Sequence, residues 1–259
     1  MKTLKIGISP SLSGKYHIQG IESFKGIKLW VKNLKQQNKP LKPDLFFYDN
    51  KSDPNLTKQI ANRLITEDQV DILLGPYSST LTLEFLKICK QHNRVLWNYG
   101  GSSNNIHDYG YEKIVSTITE ASNYYNGVIN LISEDERYSN KVAILKVKES
   151  NFAQNVANGA ADFANDKGIE SFIYEFNPGE INFSTHLEKL KLNKITNVLC
   201  VGSIFDDMNF CEYMIDKNTH RTFDIIATLA ASTNEFRKRF GDDSESFIST
   251  SQWLSLIHI

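Results

Sequence analysis

Asp71-Ile72-Leu73-Leu74-Gly75-Pro76-Tyr77-Ser78-Ser79-Thr80-Leu81-Thr82-Leu83-Glu84-Phe85-Leu86-Lys87-Ile88-Cys89-Lys90 is the stretch on which the fold turns. Its short continuous apolar run, Ile72 to Leu74, reads as a parallel strand suited to burial on both faces. Gly75 and Pro76 interrupt it. Leu81, Leu83, Phe85, Leu86 and Ile88 then predict a helix over 79–90. The unit is a strand, a loop rich in Gly and Ser, and a helix.

The same unit recurs in both directions. Upstream, a strand over 5–9 precedes a helix over 19–35 carrying Ile21, Phe24, Ile27, Leu29, Trp30 and Leu34. A strand over 44–48 precedes a helix opened by Asp53 as N-cap and Pro54 at the first helical position. Downstream, strands fall at 94–97, 113–116, 141–147, 171–176, 197–202, 224–229 and 246–250. Helices fall at 122–133, 152–166, 183–192, 205–216 and 233–240. Such alternation predicts βαβ units and helix-covered parallel sheets. Roughly ten strands exceed what one small sheet holds. The expected fold class is therefore α/β: two doubly wound parallel-sheet lobes joined by crossover strands. Lobe 1 spans 1–118, lobe 2 spans 119–245, and 246–259 holds a second crossover strand and a tail.

Composition narrows the function. The chain has 259 residues, 41% hydrophobic and 23% charged, with net charge −1, so it lacks the basic footprint of a nucleic-acid binder. No run is long and apolar enough to span a membrane, and the N-terminus lacks the apolar core of a secretory signal. Cys89, Cys200 and Cys211 form neither a disulfide framework nor a zinc pattern, and read as small buried hydrophobes. No dinucleotide, P-loop or nucleophile-elbow motif occurs, and the six histidines form no H-x-x-x-H pair. Neither a catalytic residue, a metal ligand nor a cofactor is expected. Asp206-Asp207 reads as a helix start and Asp242-Asp243 as a solvated turn.

In open parallel sheets ligands sit at the carboxyl ends of the strands. This rule points to 9–16 after the first strand, 75–80 after the third, and 98–105 after the fourth. All three loops are rich in Gly and hydroxyl residues. Glycine lets backbone approach a ligand, and Ser hydroxyls with helix N-terminal N–H groups hold acceptors. Ser79 reads equally as the N-cap of its helix. Convergence of the loops favours a site.

Four stretches together resemble the type I periplasmic binding proteins, in the branched-chain amino acid and amide group of solute-binding proteins for ABC importers. They are Lys5-Ile6-Gly7-Ile8-Ser9-Pro10-Ser11-Leu12-Ser13-Gly14, Tyr48-Asp49-Asn50-Lys51-Ser52-Asp53-Pro54, Leu74-Gly75-Pro76-Tyr77-Ser78-Ser79, and Trp97-Asn98-Tyr99-Gly100-Gly101-Ser102-Ser103. The resemblance covers residues 3 to about 253. It implies a small-molecule ligand in an inter-lobe cleft, an ABC permease as partner, a periplasmic or extracellular location, and no enzyme activity. In lobe 1, Ser78, Ser79, Gly101, Ser102 and Ser103 would hold a carboxylate or amide, with Tyr77 lining the wall. In lobe 2, Phe152, Ile204 or Phe205, and Thr228-Leu229 would complete the site.

Two departures qualify this. Leucine-type members place an acid in the last loop to pair with the ligand ammonium; here Ala227-Thr228-Leu229-Ala230-Ala231-Ser232 carries none. An unpaired buried ammonium costs several kcal/mol, so the run is more similar to the amide- and urea-binding branch. A branched-chain amino acid, an amide or a urea-like solute spans the expected ligands. The family also returns to lobe 1 after lobe 2. This chain stops after Ser249-Thr250-Ser251-Gln252-Trp253, and its tail, Leu254 to Ile259, reads as a translated adaptor, so a C-terminally truncated fragment is expected. The same fold would also serve a cytoplasmic small-amide sensor, which the missing signal favours.

Overall fold

A computed structural model describes residues 2–37 and 40–250. The expected tail over 254–259, and residues 251–253 of the expected second crossover, lie outside the described residues. The chain divides into two compact units, Met1–Thr119 and Glu120–Ile259. Each is a parallel sheet flanked by helices, as the α/β reading requires.

Unit 1 contains β1 (Lys2–Ile8), α1 (His17–Gln36), β2 (Leu41–Phe47), α2 (Pro54–Thr66), β3 (Ile72–Leu74), α3 (Ser79–Gln91), β4 (Leu96–Asn98) and β5 (Ile114–Ser116). The strand order is β2-β1-β3-β4-β5, all parallel. Asp53 caps α2, its carboxylate accepting the Leu56 N–H at 2.7 Å. Ile60, Leu64, Phe85 and Leu86 of α2 and α3 pack with Leu73 and Leu96 on one face. On the other face α1 covers β2, with Phe24 and Phe47 ring centroids 4.7 Å apart.

The expectation that Ile72–Leu74 is buried on both faces fails. Only Leu73 is fully buried. Ile72 and Leu74 line an apolar groove of about 370 Å³ with Ile27 and Trp30 of α1 and Trp97 of β4. Trp97 is 42% exposed and Val115 of β5 38%. The reason is incomplete coverage: α1 packs on β2, and its Ile27 and Trp30 border β3 and β4 across a groove that is left unfilled.

Unit 2 contains α4 (Asn126–Glu134), β6 (Lys141–Val147), α5 (Asn151–Asp166), β7 (Glu170–Phe176), α6 (Ser184–Leu192), β8 (Asn197–Val201), α7 (Ile204–Asp216), β9 (Ile225–Thr228) and α8 (Asn234–Phe240). Its strand order is β7-β6-β8-β9, parallel throughout. Every residue of β8 and β9 is buried, so here the continuous apolar strands are covered on both sides. The three cysteines are free and buried, as expected of small hydrophobes.

Two elements differ from the sequence expectation. The helix over 122–133 is a 3₁₀ turn, Ala121–Asn123, followed by α4. Between them Tyr125 is fully buried, its hydroxyl donating to the Cys200 carbonyl at 2.6 Å. The strand over 246–250 is reduced to one bridge. A 3₁₀ segment occupies Gly241–Ser246, and Ile248 alone pairs with Ala227, bonding Ile226 O and Thr228 N.

Candidate functional site

In a parallel sheet every strand delivers its following loop to the same edge. In unit 1 this edge carries the loops after β1, β3 and β4, and the chain uses its polar side chains to brace them. Asn50, fully buried, donates through Nδ2 to Ser9 O at 2.6 Å and accepts Ser11 Oγ at 2.7 Å. Asp49 accepts Leu12 N at 2.8 Å and Ser13 Oγ at 2.7 Å. Burial works against the Asp49 charge, but hydrogen bonds from Lys51, Ser13 and Leu12 outweigh it and hold its pKa below the ordinary value. The Ser11 and Ser13 hydroxyls therefore fasten the loop after β1 to the loop after β2.

The loops after β3 and β4 are bound more closely. The residue capping α3 is Ser78, not Ser79: Ser78 Oγ accepts Leu81 N at 3.4 Å. Its φ of 83° lies in a region a serine rarely adopts. That kink turns Ser79 toward the neighbouring loop, where its Oγ accepts the N–H groups of Ser102 at 3.1 Å and Ser103 at 2.9 Å. Ser78 N donates to Gly100 O at 3.2 Å. Asn98, fully buried at the end of β4, accepts Gly101 N at 2.8 Å. Its Nδ2 donates to Gly101 O at 2.7 Å and Ser116 Oγ at 2.9 Å.

The glycines are required by this packing. A Cβ on Gly100 would lie 2.8 Å from Pro76 O and Tyr77 Cα, and one on Gly101 2.5 Å from Ile106 Cδ1. Tyr77 tilts against Tyr16 of the loop after β1, with ring centroids 6.2 Å apart. The structure thus brings Tyr77, Ser78, Ser79, Gly101, Ser102 and Ser103 together. Ser102 and Ser103 are nearly buried.

In unit 2 the predicted residues sit on three loops at the carboxyl edge. Phe152 lies in the first turn of α5, edge-on to Tyr124 at 5.6 Å. Ile204 and Phe205 open α7; Phe205 is 44% exposed. Thr228 ends β9 and is fully buried, and Leu229 begins a 3₁₀ turn over Leu229–Ser232.

Asp206 and Asp207 hold these loops, and both acids are buried. Asp206 forms the capping box with Ser203 and accepts Gly179 N, from the loop after β7, at 2.8 Å. Asp207 accepts Gly202 N at 2.7 Å on one oxygen, and Thr228 Oγ1 at 2.6 Å and Ala230 N at 3.2 Å on the other. The Thr228 hydroxyl proton is therefore committed to Asp207. Burial pushes the Asp207 pKa up to about 7; the bonds from Thr228, Ala230 and Gly202 oppose this and neighbouring Asp206 adds to it.

Sequence reasoning missed Asn98 and Asp207 as organisers. The Ser203-x-x-Asp206 spacing signals a capping box, but nothing local signals that Asp207 reaches residues 21 and 23 positions away.

The chemistry on offer is hydrogen bonding. Ser116 Oγ lies 3.3 Å from His107 Nε2, yet it also accepts Asn98 Nδ2, and no carboxylate bonds to the ring among the described residues. Among those residues no group of His, Cys, Asp or Glu could hold a metal ion, and no helix is long and apolar enough to cross a membrane.

A family model described as periplasmic binding protein matches residues 3–255, which bears out the resemblance read from the four stretches. Among solved structures the chain is similar to the branched-chain amino acid transporter substrate binding protein LivJ from Streptococcus pneumoniae in complex with isoleucine. The identity is 18%, the TM-score 0.81, and the match covers 98% of this chain and 74% of that one. It is similar to an ABC transporter solute binding protein from R. palustris in complex with 4-hydroxybenzoate, at 16% identity and TM-score 0.80, over 93% and 66% of the two chains. An ABC transporter substrate-binding protein from Sphaerobacter thermophilus matches at 14% identity and TM-score 0.84, over 93% and 67%. At these identities the likeness establishes the fold. The chain spans about two thirds of the length of the last two structures.

Proposed function

The chain belongs to the periplasmic binding protein family, and on that premise we propose that it is the ligand-binding part of a solute-binding component of an ABC importer. It binds a small polar metabolite and performs no chemistry on it. Its partner is the importer's permease, and its place of action is outside the cytoplasmic membrane.

The observation that carries this reading is the braced pair of loops in unit 1. Ser79 and Asn98 fix the backbone of 100–103 before any ligand arrives. With the amides of 100–103 committed to Asn98 and Ser79, the serine hydroxyls held at this edge are the groups that suit the acceptor end of a small solute. Tyr16 and Tyr77 supply an aromatic wall.

The ligand carries no ammonium group. The acid that bonds to the last loop is Asp207, and both its oxygens already accept hydrogen bonds from Gly202, Thr228 and Ala230. An α-amino acid placed there would leave its cation without a partner, at a cost of several kcal/mol. A neutral amide or a urea fits better. 4-Hydroxybenzoate, in the R. palustris structure, likewise has no ammonium.

The test is a melting-temperature screen of the purified chain against acetamide, urea, isoleucine and 4-hydroxybenzoate. A ligand at a hundred times its Kd stabilises by about 2.7 kcal/mol. The expected result is a rise with an uncharged amide or urea and none with isoleucine. Flat curves with all four refute the reading, and a response to isoleucine alone refutes the ligand class.

A further inference from the structure

The buried carboxylate of Asp207 stands apart from the other acids. Among the described residues no cation bonds to it. The titratable groups coupled to it are Asp206 beside it on α7, the Cys200 thiol of β8, the Cys211 thiol further along α7, and the Tyr125 hydroxyl. The charge is instead spread over donors from two loops, Gly202 N after β8 and Thr228 Oγ1 and Ala230 N at and after β9, with the Cys200 thiol of β8 a weak fourth at 3.9 Å.

We infer that Asp207 is a positioning residue whose carboxylate latches the loop after β8 to the loop after β9, and that uptake of one proton resets this latch at the Thr228 hydroxyl. The inference rests on the proposed reading of residues 204–205 and 228–229 as ligand-bearing.

The argument is one of donors and acceptors. Ionised, Asp207 accepts everything offered to it. Protonated, it gains an O–H that must find an acceptor. Gly202 N and Ala230 N are fixed backbone donors and cannot accept. Thr228 Oγ1 is the oxygen partner that can reverse, because a hydroxyl both donates and accepts, and it is a stronger acceptor than the Cys200 sulfur that lies 3.9 Å from the other carboxylate oxygen. The added proton therefore settles on the oxygen facing Thr228, and the bond between them reverses so that Thr228 Oγ1 accepts. Thr228 Oγ1 already receives Ala230 N at 3.3 Å, so the change is felt directly in the loop after β9. Burial has moved the Asp207 pKa to about 7, which places the switch near neutral pH. Lower pH would thus alter the hydrogen-bond character of the loop that faces the ligand.

The experiment is an NMR titration of the full chain from pH 5 to 9, without ligand, following the Asp207 carboxyl carbon and the amides of Gly202 and Ala230. All three are expected to titrate together near pH 7. Asp207→Asn flattens both amide profiles. Thr228→Val keeps the side-chain shape, removes a donor to the carboxylate and raises the midpoint; it carries the test should Asp207→Asn fail to fold. A carboxyl that titrates in the ordinary acid range, or amides that stay flat while it titrates, overturns the latch. Calorimetry with acetamide and urea at pH 6 and 8 then separates the two claims. A tenfold pH-dependent change in affinity, lost in Asp207→Asn, supports the link to the site. Binding that ignores pH overturns that link. A normal titration with neither probe bound supports the latch and counts against the proposed function.

Discussion

Ser79→Ala tests whether this serine is a helix cap or the tether between two loops. As a cap its loss would fray the start of α3 and cost about 1 kcal/mol. As a tether it removes the acceptor of two backbone N–H groups, at 3.1 and 2.9 Å, belonging to residues only 4% and 2% exposed. Each buried donor left without its acceptor costs about 1–3 kcal/mol. The loop can relax and admit water, so about 2–4 kcal/mol is expected in total. Ser78→Ala, which removes the true cap with its longer 3.4 Å bond, should cost about 0.5–1 kcal/mol. The assay is urea denaturation followed by tryptophan fluorescence in a Trp253→Phe background, where Trp30 and Trp97 report on unit 1. Amide exchange at Ser102 and Ser103 should accelerate in Ser79→Ala and not in Ser78→Ala. A larger loss from Ser78→Ala, or unchanged exchange at both amides, refutes the tether.

Further predictions concern both units. Asp207 has a pKa raised from 3.8 to about 7, so the folded state binds the extra proton and stability falls as pH rises through that window. The full effect is at most about 4 kcal/mol, and the stability difference between wild type and Asp207→Asn should shift with pH between 5 and 8 in chemical denaturation. Gly101→Ala drives a Cβ against Ile106 and Thr82 and should destabilise by about 1–3 kcal/mol, read as a lower urea midpoint. Trp97→Lys on the open face of β4 should reduce binding of a hydrophobic dye with little change in stability, since that side chain is 42% exposed.

Much of the fold was legible because local rules set it. The Asp53-Pro54 pair marks the start of α2, and the apolar run 141–147 coincides with β6. What failed were judgements that need partners distant in sequence. The run Ile72–Leu74 has the composition of a strand covered on both faces, but coverage depends on which helices reach it. The last strand shrank to a single bridge at Ile248, with a 3₁₀ segment taking its first residue, Ser246.

In the candidate site the loops were found by a rule of topology, whereas the work done within them was not. Ser79 looked like a cap because the alternative requires knowing that Ser78 takes φ 83°. Gly100 and Gly101 read as openings for a ligand, while their need to admit neighbouring backbone and side chains was not visible in the sequence. Asp207 sat in a plain helix-start motif while its partners lay across the sheet.

The bracing by Ser79 and Asn98 has a thermodynamic consequence. A loop already held in one conformation surrenders little configurational freedom when a solute docks, so more of each contact survives as net affinity. The two side chains would then govern how tightly the solute is retained through the loop they hold, and loosening either would raise the entropic penalty of capture and shorten the lifetime of the complex.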